Sequence, residues 1–111
     1  MKKPNLLSVY ELMAMFAIQR LGNGAYGVPI SREIETQSGR SVAVSGVYAA
    51  LERLERKGFV TAELGDATRE RGGRAKTYFR LTAKGLREAS TAKQAFSNLW
   101  QGTPGLKEKA V

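Results

Sequence analysis

Between Val44 and Lys57 the apolar residues Val44, Val47, Tyr48, Leu51 and Leu54 recur at i, i+3, i+4, i+7 and i+10, and Gly58 follows. That spacing puts all five on one side of an α-helix, and a glycine just past the end suits helix closure. The opposite side carries Ser45, Gly46, Ala49, Arg53 and Arg56, small residues first and arginines last. Directly afterwards the period changes to two. FVTAEL (59–64) and KTYFRLT (76–82) are rich in β-branched and aromatic residues and predict two strands. In the second, Lys76, Tyr78 and Arg80 share one face while Thr77, Phe79 and Leu81 share the other. The polar loop from Gly65 to Arg74 makes the pair a hairpin with a long basic tip. An amphipathic helix feeding such a hairpin leaves few architectures open.

The remaining segments narrow the choice. Leu6 to Leu21 predicts a helix apolar on more than one side, with Leu6, Tyr10, Met13 and Ala17 on one face and Leu12, Met15 and Phe16 elsewhere. Such a helix must be covered on most sides, and in a domain this small one face can pack on the core while another is open to a partner chain. Gly22, Gly24 and Gly27 then break it. Pro29 suits the first turn of a second helix, Ile30 and Ile34 form its apolar edge, and Gly39 stops it. Thr82 is a natural N-cap for a last helix of roughly 18 residues. Its apolar edge is Leu86, Ala89, Phe96, Leu99 and Trp100, and Gly102, Pro104 and Gly105 end it. The order predicts a mainly α fold with a small β-hairpin, a winged helix-turn-helix followed by a C-terminal helix. The expected division is the winged helix-turn-helix over 1–82, the last helix over 83–102 and a disordered tail over 103–111.

Charge points the same way. The chain has 111 residues and a formal net charge of +8. Arg69, Arg71, Arg74, Lys76, Arg80 and Lys84 stand against Glu70 alone, so five of those eight charges lie in one short stretch. A localised basic patch is the footprint of a binder of nucleic acid or an anionic surface, and a merely solvated face is the plainer reading. There is no cysteine and no histidine. Disulfides, thiolate nucleophiles, histidine bases and the usual zinc ligand sets are thereby excluded. No pair of acids has a catalytic context, so neither an enzyme nor a cofactor is expected. Glu11 interrupts the apolar N-terminal stretch, and Leu12 to Ile18 is too short to span a bilayer. The expectation is a cytoplasmic protein with no membrane partner.

Three blocks, LGNGAYGVPISREIE (21–35), VYAALERLERKGFV (47–60) and RERGGRAKTYFRLTAKG (69–85), together resemble the PadR-like transcriptional regulators. The resemblance is carried by Tyr26-Gly27, Tyr48, Leu51, Leu54, Gly58, Gly72, Gly73, Arg74, Lys76, Phe79, Leu81, Thr82 and Gly85. It implies a DNA-binding repressor that dimerises largely through its C-terminal helix, here of the short, single-helix class. Gly46 lies one position later than the glycine that relatives often place before the tyrosine.

The residues each carry two readings. Ser45, Gly46 and Ala49 would let the third helix approach a major groove, with Arg53 and Arg56 reaching phosphates. An ordinary surface helix is the alternative. Tyr48 and Tyr26 either pack or present a hydroxyl to phosphate. In the wing, Arg71, Arg74 and Lys76 are the candidate phosphate or minor-groove contacts, with Gly72 and Gly73 allowing close approach or simply shaping a turn. Leu86, Ala89, Phe96, Leu99 and Trp100 are the expected dimer contacts. Phe96 and Trp100 also suit a planar small-molecule effector, although aromatics at helical spacing more often pack. The leading function is a dimeric repressor on a palindromic double-stranded DNA operator. The alternative is a small RNA-binding or architectural protein without sequence preference, against which the outward face of the third helix offers no aromatic stack.

Overall fold

The computed structural model describes residues 7–65 and 76–105. In chain order it contains α1 (Val9–Leu21), a 3₁₀ turn (Gly22–Gly24), α2 (Gly27–Ser38), α3 (Val44–Arg56), β1 (Val60–Leu64), β2 (Thr77–Leu81) and α4 (Ala83–Trp100). This is the expected winged helix-turn-helix. The first helix begins later than the apolar pattern from Leu6 suggests, because Ser8 and Glu11 form a capping box. Ser8 Oγ accepts from the Glu11 N–H at 3.1 Å, and the Ser8 N–H donates to Glu11 Oε1 at 2.8 Å. Leu6 itself lies outside the described residues.

Gly27 is the first residue of α2, and Pro29 stands in its first turn, where the missing N–H has no helical partner to lose. Gly39 closes α2 in the left-handed conformation (φ 73°), donating to Glu35 O at 2.9 Å. The turn to α3 is fixed by the buried Ser31, whose hydroxyl donates to Val42 O at 3.0 Å. Val47, Ala50, Leu51 and Leu54 form the buried side of α3. At its end Gly58 adopts φ 82°, its N–H donates to Glu55 O, and the Phe59 N–H donates to Leu54 O. These paired bonds satisfy carbonyls the helix leaves open and seat Phe59 in the core.

β1 and β2 pair antiparallel, with Val60 opposite Leu81, Ala62 opposite Phe79 and Leu64 opposite Thr77. Phe79 and Leu81 are buried, so the inward face of β2 anchors the hairpin. The Phe79 N–H also donates to Ala25 O at 2.8 Å, which ties the hairpin to the entrance of α2. Thr82 caps α4 by accepting from the Gly85 N–H at 2.9 Å, while its hydroxyl donates to Gly58 O at 2.8 Å. Ala89 belongs to the core of its own chain, and nothing from Ser90 to Trp100 is buried. Among the described residues no helix is long and apolar enough to cross a membrane.

Candidate nucleic-acid interface

The side of α3 turned from the core is a straight stripe of Ser45, Ala49, Glu52 and Arg56, all exposed. Spacings of 4, 3 and 4 residues keep these side chains in line down the helix. Ser45 and Ala49 are thus where the sequence pattern puts them. Gly46 and Arg53 sit on the flank facing α1. A Cβ at Gly46 would drive into the Tyr10 ring, whose hydroxyl donates to Ala43 O at 3.4 Å. Gly46 therefore leaves room for the Tyr10 ring between α1 and α3, a role independent of any ligand.

Arg53 Nε donates to Glu11 Oε2 at 3.0 Å, and Lys57 Nζ lies 3.0 Å from the same oxygen and 3.1 Å from Oε1. Glu11 is 1% exposed. Burial alone would raise its pKa. The Ser8 N–H, the Lys57 and Arg53 hydrogen bonds and the Lys57 charge outweigh that and hold the carboxyl below its ordinary value. The cluster fixes the start of α1 against the end of α3, which sets the tilt of the outward stripe. Arg53, expected among the nucleic-acid contacts, is engaged in this pairing while remaining partly exposed.

On the other flank Tyr48 is 44% exposed, its ring lying where a Cβ on Gly27 would be. The outward face read as free of aromatics therefore has one at its edge. A cleft of about 400 Å³ separates α3 from the hairpin, lined by Ser45, Tyr48, Ala49, Glu52, Glu55 and Thr77, among others. At the base of the wing, Tyr26 and Tyr78 meet edge to face with centroids 5.5 Å apart. Lys76 Nζ stands 4.7 Å from the centre of the Tyr26 ring. Tyr26 and Lys76, 50 residues apart in sequence, thus form one polar-aromatic corner. Arg71, Gly72, Gly73 and Arg74 lie outside the described residues.

Along α4, Leu86, Phe96, Leu99 and Trp100 are exposed in the single chain, while Ala89 is turned inward. Glu11, Lys57, Tyr78 and Glu52 also belong to the site, although the sequence pattern assigns none of them a role in it. Ser8-x-x-Glu11 is a legible capping signal, and Glu52 falls in line with Ser45 and Ala49 by simple periodicity. Nothing local in the sequence signals that Lys57 reaches Glu11. Among the described residues no group of three or more His, Cys, Asp or Glu side chains is placed to hold a metal ion.

Known structures share this fold. A protein from Streptococcus mutans aligns with a TM-score of 0.69 at 20% identity, covering 97% of this chain and 97% of that one. A PadR family transcriptional regulator from Eggerthella lenta aligns at 0.68 and 24% identity, over 87% of this chain and 82% of that one. Another PadR family regulator, from Clostridium difficile, aligns at 0.67 and 19% identity, over 83% of this chain and 91% of that one. No curated protein matches the sequence significantly. The helices and hairpin define a winged helix-turn-helix protein. The profile of the transcriptional regulator PadR-like family matches residues 17–91, from α1 through the wing into α4. The chain belongs to that family of DNA-binding transcriptional regulators.

Proposed function

We propose that the protein is a dimeric, sequence-specific repressor that places α3 in the major groove and its basic wing along the backbone or minor groove of a palindromic operator. The observation that carries the reading is the outward stripe of α3. It is held rigid from behind by the core and by the Glu11 cluster, and is flanked by the Tyr26–Lys76 corner. Helices presented in this way read base edges, while cations to either side neutralise phosphate. Self-association is supported by α4, where Phe96, Leu99 and Trp100 are 52%, 75% and 47% exposed. Val9 and Phe16 on α1 add exposed apolar surface. Two α4 helices packed together would cover much of this and set two copies of α3 on successive half-sites about one helical turn apart. The wing arginines Arg71 and Arg74 with Lys76 take phosphate in this arrangement, and Gly72 and Gly73 allow close approach.

Aromatic side chains at the ends of two paired α4 helices also suit a planar effector, which would couple ligand to dimer geometry. A cytoplasmic location accords with a regulator of transcription. Selection of bound genomic fragments followed by footprinting tests the function. Two protected half-sites about one turn apart are expected, and uniform protection without sequence preference would favour the architectural alternative.

A further inference from the structure

The outward stripe of α3 contains an acid where a phosphate binder has most reason to avoid one. Glu52 lies between Ala49 and Arg56, exposed, on a chain of net charge +8. Among the described residues no ion pair involves it. It plays no part in the core, and it lines the cleft between α3 and the hairpin together with Ser45 and Ala49. An acid there repels every phosphate of every duplex alike, so it weakens binding generally unless one base edge compensates.

A carboxylate accepts hydrogen bonds and donates none. In the major groove guanine shows N7 and O6 and thymine shows O4, all acceptors that would face Glu52 lone pair to lone pair. Adenine pairs its N6 amino donor with the N7 acceptor on the same edge. Cytosine presents its N4 amino group with no acceptor on its own edge, so it is the one base whose edge matches a carboxylate throughout. We propose that Glu52 is a specificity-determining residue that accepts a hydrogen bond from a cytosine N4 amino group in each half-site. The inference rests on α3 being the groove-entering helix. Glu55, the other acid of the cleft, lies on the flank beside Tyr48 rather than in line with Ser45 and Ala49, and it does not share the role.

The test is selection from a random-sequence duplex pool with the full chain, its Glu52→Ala and Glu52→Gln variants and Glu55→Ala as control. The wild type should enrich sites with one fixed cytosine per half-site. Glu52→Ala should keep the other preferred positions and lose the cytosine preference by about tenfold or more. Glu52→Gln should turn toward adenine, whose N6 and N7 a glutamine amide matches, and it carries the test alone if circular dichroism finds Glu52→Ala unfolded. Glu55→Ala should select as the wild type does. A cytosine preference that survives in Glu52→Ala, or is lost in Glu55→Ala instead, overturns the assignment while leaving α3 in the groove. A folded wild type that enriches no sequence removes the groove reading itself, a separate result.

Discussion

Glu11 is a carboxylate taken almost wholly out of water at the start of a helix, and its three partners make that position tolerable. Its lowered pKa means that the folded state binds this proton less readily than the unfolded chain. The associated stability is complete above the ordinary carboxylate range and is lost as pH falls through the lowered folded value. Glu11→Gln should therefore be less stable near neutral pH by about 2 kcal/mol and melt at a lower temperature, and the difference from wild type should shrink in acid. Thermal melts across pH measure this, and parallel curves would assign the stability elsewhere. Gly85 poses a steric problem instead. A Cβ there would collide with the Phe59 carbonyl oxygen, which already accepts from the Thr82 N–H at 3.0 Å. Gly85→Ala should destabilise the fold by about 2 kcal/mol or more, seen as an earlier urea midpoint, despite alanine's better helix propensity.

At the scale of elements, the proposed function divides the labour of DNA recognition between α3 and the wing. Ala49 lies in the middle of the outward stripe, exposed and outside the core cluster. Ala49→Glu should abolish operator binding in a mobility-shift assay while leaving the melting temperature nearly unchanged; retained binding would take α3 out of the groove. Lys76, poised over Tyr26, tests the wing. Lys76→Ala and Arg71→Ala should weaken binding to all sequences alike and each lower the log–log salt slope by about one. An unchanged slope in both would remove the wing from the interface. The periodicity of α3, its glycine stop and the Thr82 cap were legible because each rests on neighbours within a turn or two. The two ion pairs that tie α3 to α1 were not, since Glu11 and Lys57 are 46 residues apart.

For the whole molecule, the unresolved tension is α4. Its first turns pack on the hairpin and core through Gly85 and Ala89, while its second half buries nothing in this chain. An isolated helix of that length is marginal in water without an apolar partner. In the proposed dimer a second copy would supply one at no cost in new sequence, since a two-fold axis brings like faces together. Leu99→Asp, which places a charge on the most exposed apolar residue of that face, should give monomers by sedimentation and weaken operator binding by the loss of one half-site. A persistent dimer would shift the contact to Val9 and Phe16 on α1.

The sequence by itself determined which segments are helix or strand, where most of them stop, and which side of α3 and β2 faces inward. Those properties follow from periods of 3.6 and 2 and from glycine, proline and threonine acting on their immediate neighbours. Only the tertiary structure decided what each polar residue is for. It turned Arg53 toward Glu11, put Tyr10 over Gly46 and brought Lys76 onto Tyr26. Charge and small size are visible in a chain, but the partner that gives them a role is chosen by packing between elements far apart in sequence.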